Sequence, residues 1–423
     1  MAAARGERHE RDASARDLSM TSAKGSTVGP GDAWAIEDLS DARRIAAVSA
    51  AARAHLPLDD SSQDLEWLAL TVSDPQKDLL VLTDSDGSTL TGLAPFRISR
   101  ATVSVSAGPV TFYSARVQRY SMLREPLTVR SERRAALSAC LQSLAETMTS
   151  RGAAYFEAVP QGTDLQHVLD DRSDSLRSRF YVMPWGPGYE HYKIKWDGKV
   201  DAYLQSLSSK NRYNMRRPAQ KLASEKNLRT SLKRFQRPGE VDAFLDDGIK
   251  VSEKTYQSRK LGTGLSRGGS REKIMRFAAE RGSFLGHVLY INDQPAAFQF
   301  ALVHARTFYG IEMGYDPAWA QHHVGNVLFF RMLEDLEKAG DDINLIDMLT
   351  YDSVFKHRAS NVRVPVQNYY LFPRSWAGRS IYWPLKGAMS LKALGLRLSD
   401  RLRLTARIKR FLREQEKTLD ERQ

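Results

Sequence analysis

Apolar and polar positions change period several times along this chain of 423 residues, and each change marks an element. Phe284–Ile291, Ala296–Val303 and Thr307–Glu312 are β-branched and apolar stretches separated by Asn292-Asp293 and by His304-Ala305-Arg306, which predicts three antiparallel strands joined by tight turns. From Val324 the period lengthens. Val324, Leu328, Met332 and Leu336 recur every fourth residue beside Val327, a helical stripe that stops at Gly340, where a left-handed cap is easily adopted. A strand over Ile343–Met348 follows.

A related pattern stands earlier in the chain. Leu79–Thr83 and Thr89–Phe96 flank Asp84-Ser85-Asp86-Gly87, which reads as a turn and not as a metal-binding acidic pair. Leu137, Leu141, Leu144 and Met148 line one face of a helix over 133–150, and the strand Ala153–Ala158 follows Gly152. Hairpin, helix, glycine and strand thus occur twice, which implies two α/β layers, each burying a sheet face under helices. The chain divides into a tail over 1–33, one domain over 34–190, a second over 191–373 and a terminal segment over 374–423. The tail has five basic and five acidic residues and almost no large apolar one, so it is expected to stay disordered. It lacks the apolar run of a secretory signal. No stretch of about 18 apolar residues predicts a membrane-spanning helix. The lone cysteine, Cys140, reads as a buried thiol on a helix and fits a reducing, cytoplasmic setting.

Charge is concentrated. Of a net +12, residues 192–237 hold thirteen Lys/Arg against Asp197, Asp201 and Glu225, a balance of +10, and residues 374–423 hold a balance of +8. Two basic segments suit anionic partners at defined places and argue against a general nucleic-acid coat. In the first, Leu204 and Leu207 mark a buried side, while Lys210, Arg212 and Arg216 face outward as candidate ligands for a phosphorylated substrate. The alternative is a solvated linker helix. Pro218 is expected to end or kink this helix near Arg217. In the second, Leu391, Leu394, Leu398, Leu402 and Leu404 alternate with Lys and Arg, a composition for lying on anionic lipid or for packing leucines on the protein body.

The residues Gly314-Tyr315-Asp316-Pro317, His322-His323-Val324-Gly325-Asn326-Val327, Leu345-Ile346-Asp347-Met348 and Phe355-Lys356 resemble the second half of a GNAT-type acyltransferase. The nearer likeness is to the CelD-like branch associated with polysaccharide biosynthesis, related to the Fem peptidyltransferases. It reaches back to Tyr203–Leu222 and the hairpin near Leu79–Phe96, about two-thirds of the chain. His322 stands where GNAT members usually have Arg or Gln, and Val327 where they have Gly or Ala. The resemblance implies tandem GNAT-like α/β domains with mixed sheets flanked by helices, a basic helix over 201–222 and acetyl-CoA or another acyl-CoA as co-substrate. Met313, His322, His323, Val324, Gly325, Asn326 and Val327 would bind the donor, its pyrophosphate on the first helical turn. Lys210, Arg212, Arg216 and Tyr315 would meet the acceptor, an anionic small molecule or lipid-linked envelope precursor. Acyl transfer needs a base, oxyanion donors and an acid for the thiolate. Glu312 is the candidate base or a hydrogen-bonded cleft residue, with Tyr309 or Tyr315 beside the substrate. Asp347 would orient the acceptor, Tyr351 protonate the sulfur and Lys356 neutralise a phosphate; alternatively Asp347 and Lys356 pair and pin the loop. A Fem-like aminoacyl-tRNA-dependent transferase and a non-catalytic scaffold are the other readings. The implied setting is the cytoplasm, at the inner membrane face.

Overall fold

A computed structural model describes residues 34–39, 41–58, 63–107, 110–171, 176–255, 264–349 and 353–401, with side chains to 395. The tail over 1–33, residues 256–263, Tyr351 and the last 22 residues lie outside the described residues.

Thirteen strands make one mixed sheet. In the first half they are β1 (Ala35–Ile36), β2 (Leu79–Asp86), β3 (Thr89–Ala107), β4 (Val110–Leu123), β5 (Leu127–Thr128) and β6 (Gly152–Pro160). β7 (Phe180–Lys195) is the long central strand. The second half adds β8 (Thr230–Phe235), β9 (Phe284–Ile291), β10 (Gln294–His304), β11 (Thr307–Tyr315) and β12 (Leu345–Asp347), and β13 (Val362–Pro373) returns toward the first. The order β1-β2-β3-β4-β6-β13-β7-β12-β11-β10-β9-β8, with β5 beside β3, shows that β13 inserts between β6 and β7. The last strand of the chain therefore stitches the halves into a single hydrogen-bonded surface. This is the tandem α/β architecture with a mixed sheet between helices.

Local chemistry explains the elements near the site. Asn292 and Asp293 (φ 49° and 62°) turn β9 into β10, and Ala305 and Arg306 (φ 45° and 60°) turn β10 into β11. Both turns have two left-handed residues, the backbone that matches strand twist. The helix Val324–Ala339 buries Val324, Val327, Leu328, Met332, Leu333 and Leu336, and Gly340 closes it at φ 67°. Its far end is clamped by charge. Arg234 binds Asp335 and Asp341 (2.9 and 2.7 Å), and the buried His287 shares Asp335 (3.0 Å). The helix Ser209–Ser224 starts on a Ser208 cap and packs Met215, Ala219 and Leu222 into the same core. The helices Val241–Ser252 and Ser270–Glu280 cover the opposite face with Phe244, Leu245 and Met275.

Two local expectations are corrected. Pro218 does not end its helix, which runs on to Ser224; burial of Ala219 and Leu222 below it outweighs the lost backbone bond. Asp84 lies within β2 and the turn falls at Gly87 (φ 60°). Its buried carboxylate accepts from Arg130 (2.8 and 2.9 Å) and Thr91 (2.9 Å), which makes it a strand-to-loop anchor. Cys140 is fully buried and burial pushes its thiol well up.

Gly314 sits where β11 crosses a ring: a Cβ there would lie 2.5 Å from Phe298 Cε1. Phe298 is itself buried among Phe244 and its neighbours. Gly314→Ala is expected to cost about 1–3 kcal/mol by overpacking, measured by chemical denaturation; a change under about 0.5 kcal/mol would show that the ring moves freely.

Candidate active site

β11 and β12 run parallel, but only Thr307, Phe308 and Tyr309 pair with Leu345, Ile346 and Asp347. Beyond Tyr309, β11 continues for six residues bonded to β10 alone, with a bulge at Ile311 where Glu312 pairs Phe300 and Gly310 pairs Ala301. The two strands thus part, and β11 presents backbone toward the gap. The corresponding strands of the first half, β4 and β6, stay paired through Leu123 and Glu157. Trp34 packs its indole on Gly92 of β3, where a Cβ would lie 2.6 Å from the ring, and its Nε1 donates to Ala136 O (3.0 Å) at the helix Arg133–Thr147. Of these two parallel pairs, β11 and β12 pair over three residues and β4 and β6 over six.

The helix Val324–Ala339 starts beside that slot. A Cβ on Gly325 would stand 3.6 Å from Tyr315 Cδ1 and 3.9 Å from Met313 Sδ, both on β11. The first-turn N–H groups of an α-helix have no intrahelical acceptor and carry the positive end of its dipole. His323 enters the helix at φ 51° and is exposed. Next to it lies a cleft of about 370 Å³ lined by Tyr213, Arg217, Lys221, His323, Asn326 and Arg358, with Asn214 and Pro218 at its floor. Three cations from two helices face one helix N-terminus, with His323 and Asn326 supplying polar groups. Such a cleft favours phosphate or another polyanion.

The donor-site residues thus separate by role. His323 and Asn326 line the cleft, while Gly325 lies between them in sequence and close to Met313 and Tyr315 on β11. The Val324 and Val327 side chains are buried in the core, so these positions offer backbone only. His322 points the other way: its Nδ1 lies 3.2 Å from Glu225, tying the end of the basic helix to the turn before Val324. Arg212 is exposed, as its spacing predicts, but it is engaged within the protein. Its guanidinium donates to the carbonyls of Leu204 (3.0 Å), Gln205 (3.3 Å) and Leu207 (3.4 Å), the end of the preceding helix. Orphan carbonyls there attract a cation. Arg216 lines a different groove, with Glu334 and Glu337, and Lys210 is exposed on the first turn. The cleft instead uses Tyr213, Arg217 and Lys221, four residues apart, with Arg217 over the Tyr213 ring at 5.1 Å. That spacing was available in the sequence.

Glu312 lies mostly buried on β11. Burial pushes its carboxyl above the ordinary range, and Arg271, whose Nε is 2.7 Å from Oε2, partly opposes this. A carboxylate with raised proton affinity at the edge of a slot is suited to proton transfer. Tyr315 is exposed at the strand end and Tyr309 is buried.

Asp347 closes the slot from below. Its fully buried carboxylate meets His191 Nε2 at 2.6 Å, Arg124 Nη2 at 2.9 Å and Lys193 Nζ at 3.6 Å, and accepts the Leu349 N–H at 2.8 Å. Leu349 sits at φ 60°, a conformation that costs a bulky residue about 1–2 kcal/mol; the bond to Asp347 holds it there. Burial opposes ionisation of Asp347, but the His191 hydrogen bond and the nearby Arg124 and Lys193 outweigh it and bring the carboxyl down to about 2. Arg124 comes from the end of β4, His191 and Lys193 from β7. None of the three was singled out in the sequence, since they lie 154 residues or more from Asp347 along the chain. Lys356 is half-buried on the helix Val354–Ala359, whose Ser353 cap receives its backbone N–H (3.2 Å).

Removing the carboxylate strands buried cations. Asp347→Asn is expected to lower stability by roughly 3–5 kcal/mol, read by denaturant titration. The linkage has a sign. With the folded carboxyl at about 2 and about 3.9 unfolded, Asp347 contributes on the order of 2 kcal/mol above pH 4, lost as pH falls toward 2. The variant should lack that acid-dependent component. An unchanged acid unfolding curve would remove Asp347 as the anchor.

Comparison with known proteins follows this geometry. The family model described as an acetyltransferase (GNAT) domain matches residues 209–357, from the basic helix through the slot to the helix after it. A comparison with curated proteins gives no match. The crystal structure of FemX has a TM-score of 0.51 at 11% identity, with 78% of this chain and 96% of that chain covered. The C-terminal domain of a putative lysylphosphatidylglycerol synthetase from Agrobacterium fabrum gives 0.49 at 10% identity, covering 80% and 95%. A tandem GNAT protein from the clavulanic acid biosynthesis pathway gives 0.43 at 10%, covering 81% and 98%. The likeness to FemX is one of fold. What the family model matches lies in the second half of this chain, where residues 209–357 are similar to an acetyltransferase (GNAT) domain.

Proposed function

We propose that the protein is an acyl-CoA-dependent N- or O-acyltransferase whose donor enters the gap between β11 and β12. The observation that carries this reading is the end of β11–β12 pairing at Tyr309 and Asp347, directly beside a helix N-terminus and a cationic cleft. Arg217, Lys221, Arg358 and the first helical turn would hold the donor's phosphates. Backbone N–H groups of β11 past the bulge would face the thioester carbonyl, where an oxyanion develops. Glu312 would accept the proton of the attacking amine or hydroxyl, its raised affinity suiting it to that transfer near neutral pH. Arg271 limits that rise and keeps the carboxylate form available. Asp347 is read as a positioning residue that fixes the floor of the slot. The acceptor is an envelope or polysaccharide precursor in this proposal, with the sequence resemblance to CelD-like proteins as its support.

A second reading has a specific basis. The cleft joins a ring, Tyr213, to three cations, and such a surface also suits the end of an RNA. The Fem resemblance implies aminoacyl-tRNA as donor.

Titration calorimetry with CoA and acetyl-CoA separates the two. Wild type is expected to bind both, and Arg217→Glu/Lys221→Glu to weaken binding on the order of tenfold to a hundredfold. Gly325→Trp should abolish it in a folded protein. Absence of CoA binding, with activity destroyed by ribonuclease, would sink the CoA reading in favour of tRNA.

Once an acceptor is in hand, Glu312→Gln is expected to lower kcat about 10²- to 10⁴-fold with donor affinity unchanged. The wild-type rate should fall on an acid limb above the ordinary carboxylate range, since the base form is required and its proton affinity is raised. A variant retaining the wild-type rate would strip Glu312 of its role.

A further inference from the structure

The helix Trp376–Arg401 packs one side against the first half of the sheet through Ile381, Leu385 and Ala388. Its opposite side is also apolar. Trp376, Trp383, Leu391 and Leu394 are 85, 51, 61 and 55% exposed. At the α-helical repeat, Trp376, Trp383 and Leu394 fall within about 20° of one line, with Leu391 about 60° away. The buried stripe lies across the helix from them. A surface helix ordinarily turns polar residues outward, so packing accounts for only one of the two stripes.

One flank of the outer stripe is cationic. Arg379 and Lys386 are exposed beside it, and Lys386 Nζ lies 5.2 Å from the Trp383 ring centroid. The nearby β3–β4 hairpin adds to the surface. Tyr113 OH donates to Ser380 O (3.3 Å), tying that hairpin to the helix, and Val110 and Phe112 on the same strand are exposed. The sequence over 374–423 carries thirteen Lys/Arg and five Asp/Glu.

We infer that this face docks on an anionic phospholipid bilayer. Tryptophan rings favour the headgroup level and leucines the acyl boundary, and the positive sign of the segment complements anionic headgroups. A lipid interface takes the apolar stripe and the cations together. Among the described residues no helix is long and apolar enough to cross a membrane, so the contact is peripheral.

The test is sedimentation of the full-length chain with vesicles, without any acyl donor, so that its outcome is independent of the proposed chemistry. Wild type is expected to pellet with phosphatidylcholine vesicles containing about one-third phosphatidylglycerol and to stay in solution with phosphatidylcholine alone. Arg379→Gln/Lys386→Gln should weaken partition roughly thirtyfold. Trp376→Ser/Trp383→Ser/Leu391→Ser should abolish it with an unchanged thermal midpoint, since these side chains are exposed. No partition onto anionic vesicles, or wild-type partition by the triple variant, would overturn the inference. So would a dimer in sedimentation velocity that the triple variant dissolves, which would make the stripe an interface between copies.

Discussion

A single buried carboxylate joins the parts of this molecule that come from distant stretches of sequence. Asp347 ends β12, the short strand on which the slot opens, and collects Arg124 from the end of β4 and His191 and Lys193 from β7. A charge fully removed from water is tolerable only when it is paired and hydrogen-bonded. Each neighbour is therefore fixed in place by the same requirement that fixes Asp347. The hydrogen bond it accepts from Leu349 N–H turns the backbone sharply after β12. The parting of β11 from β12 begins at this point. The opening is thus built on a rigid floor, as a site that must hold two reactants in line requires.

Duplication of a pattern did not duplicate a site. Both halves place a helix between two parallel strands, and both end that helix before a further strand. In the first half the strands remain paired to the end of β4, and Arg130 and Arg133 are engaged by Asp84, Glu125 and Asp164. In the second, pairing stops after three residues and the cations of a neighbouring helix face the gap. The first half then serves as support. β13 adds to this by crossing into it, so that the slot and its support share one continuous set of backbone hydrogen bonds.

Much of this was legible in the residues. Alternation and helical period placed β9, β10, β11 and the helix Val324–Ala339, and Gly340 and the two-residue turns fixed their ends, because these signals depend only on neighbours along the chain. The proximity of Gly325 to β11 was legible too, through strand–helix order. Other features were not. Arg212 reads as an outward cation by spacing and is exposed, yet its guanidinium is taken up by the carbonyls that end the preceding helix. Pro218 reads as a stop, yet the core beneath it holds the helix together. Asp84 reads as a turn residue because the Arg130 that buries it is 46 positions away.

The sequence by itself determined the elements, their order and the concentration of positive charge, since backbone propensity, turn chemistry and side-chain period act within a few residues. The tertiary structure decided which of those charges face a common space, which are spent on capping or pairing, and where two strands separate. Those outcomes depend on register across the sheet and on burial. Both are set by the whole packed molecule: the pairing of Asp347 with Arg124, His191 and Lys193 exists only once β4, β7 and β12 have come together.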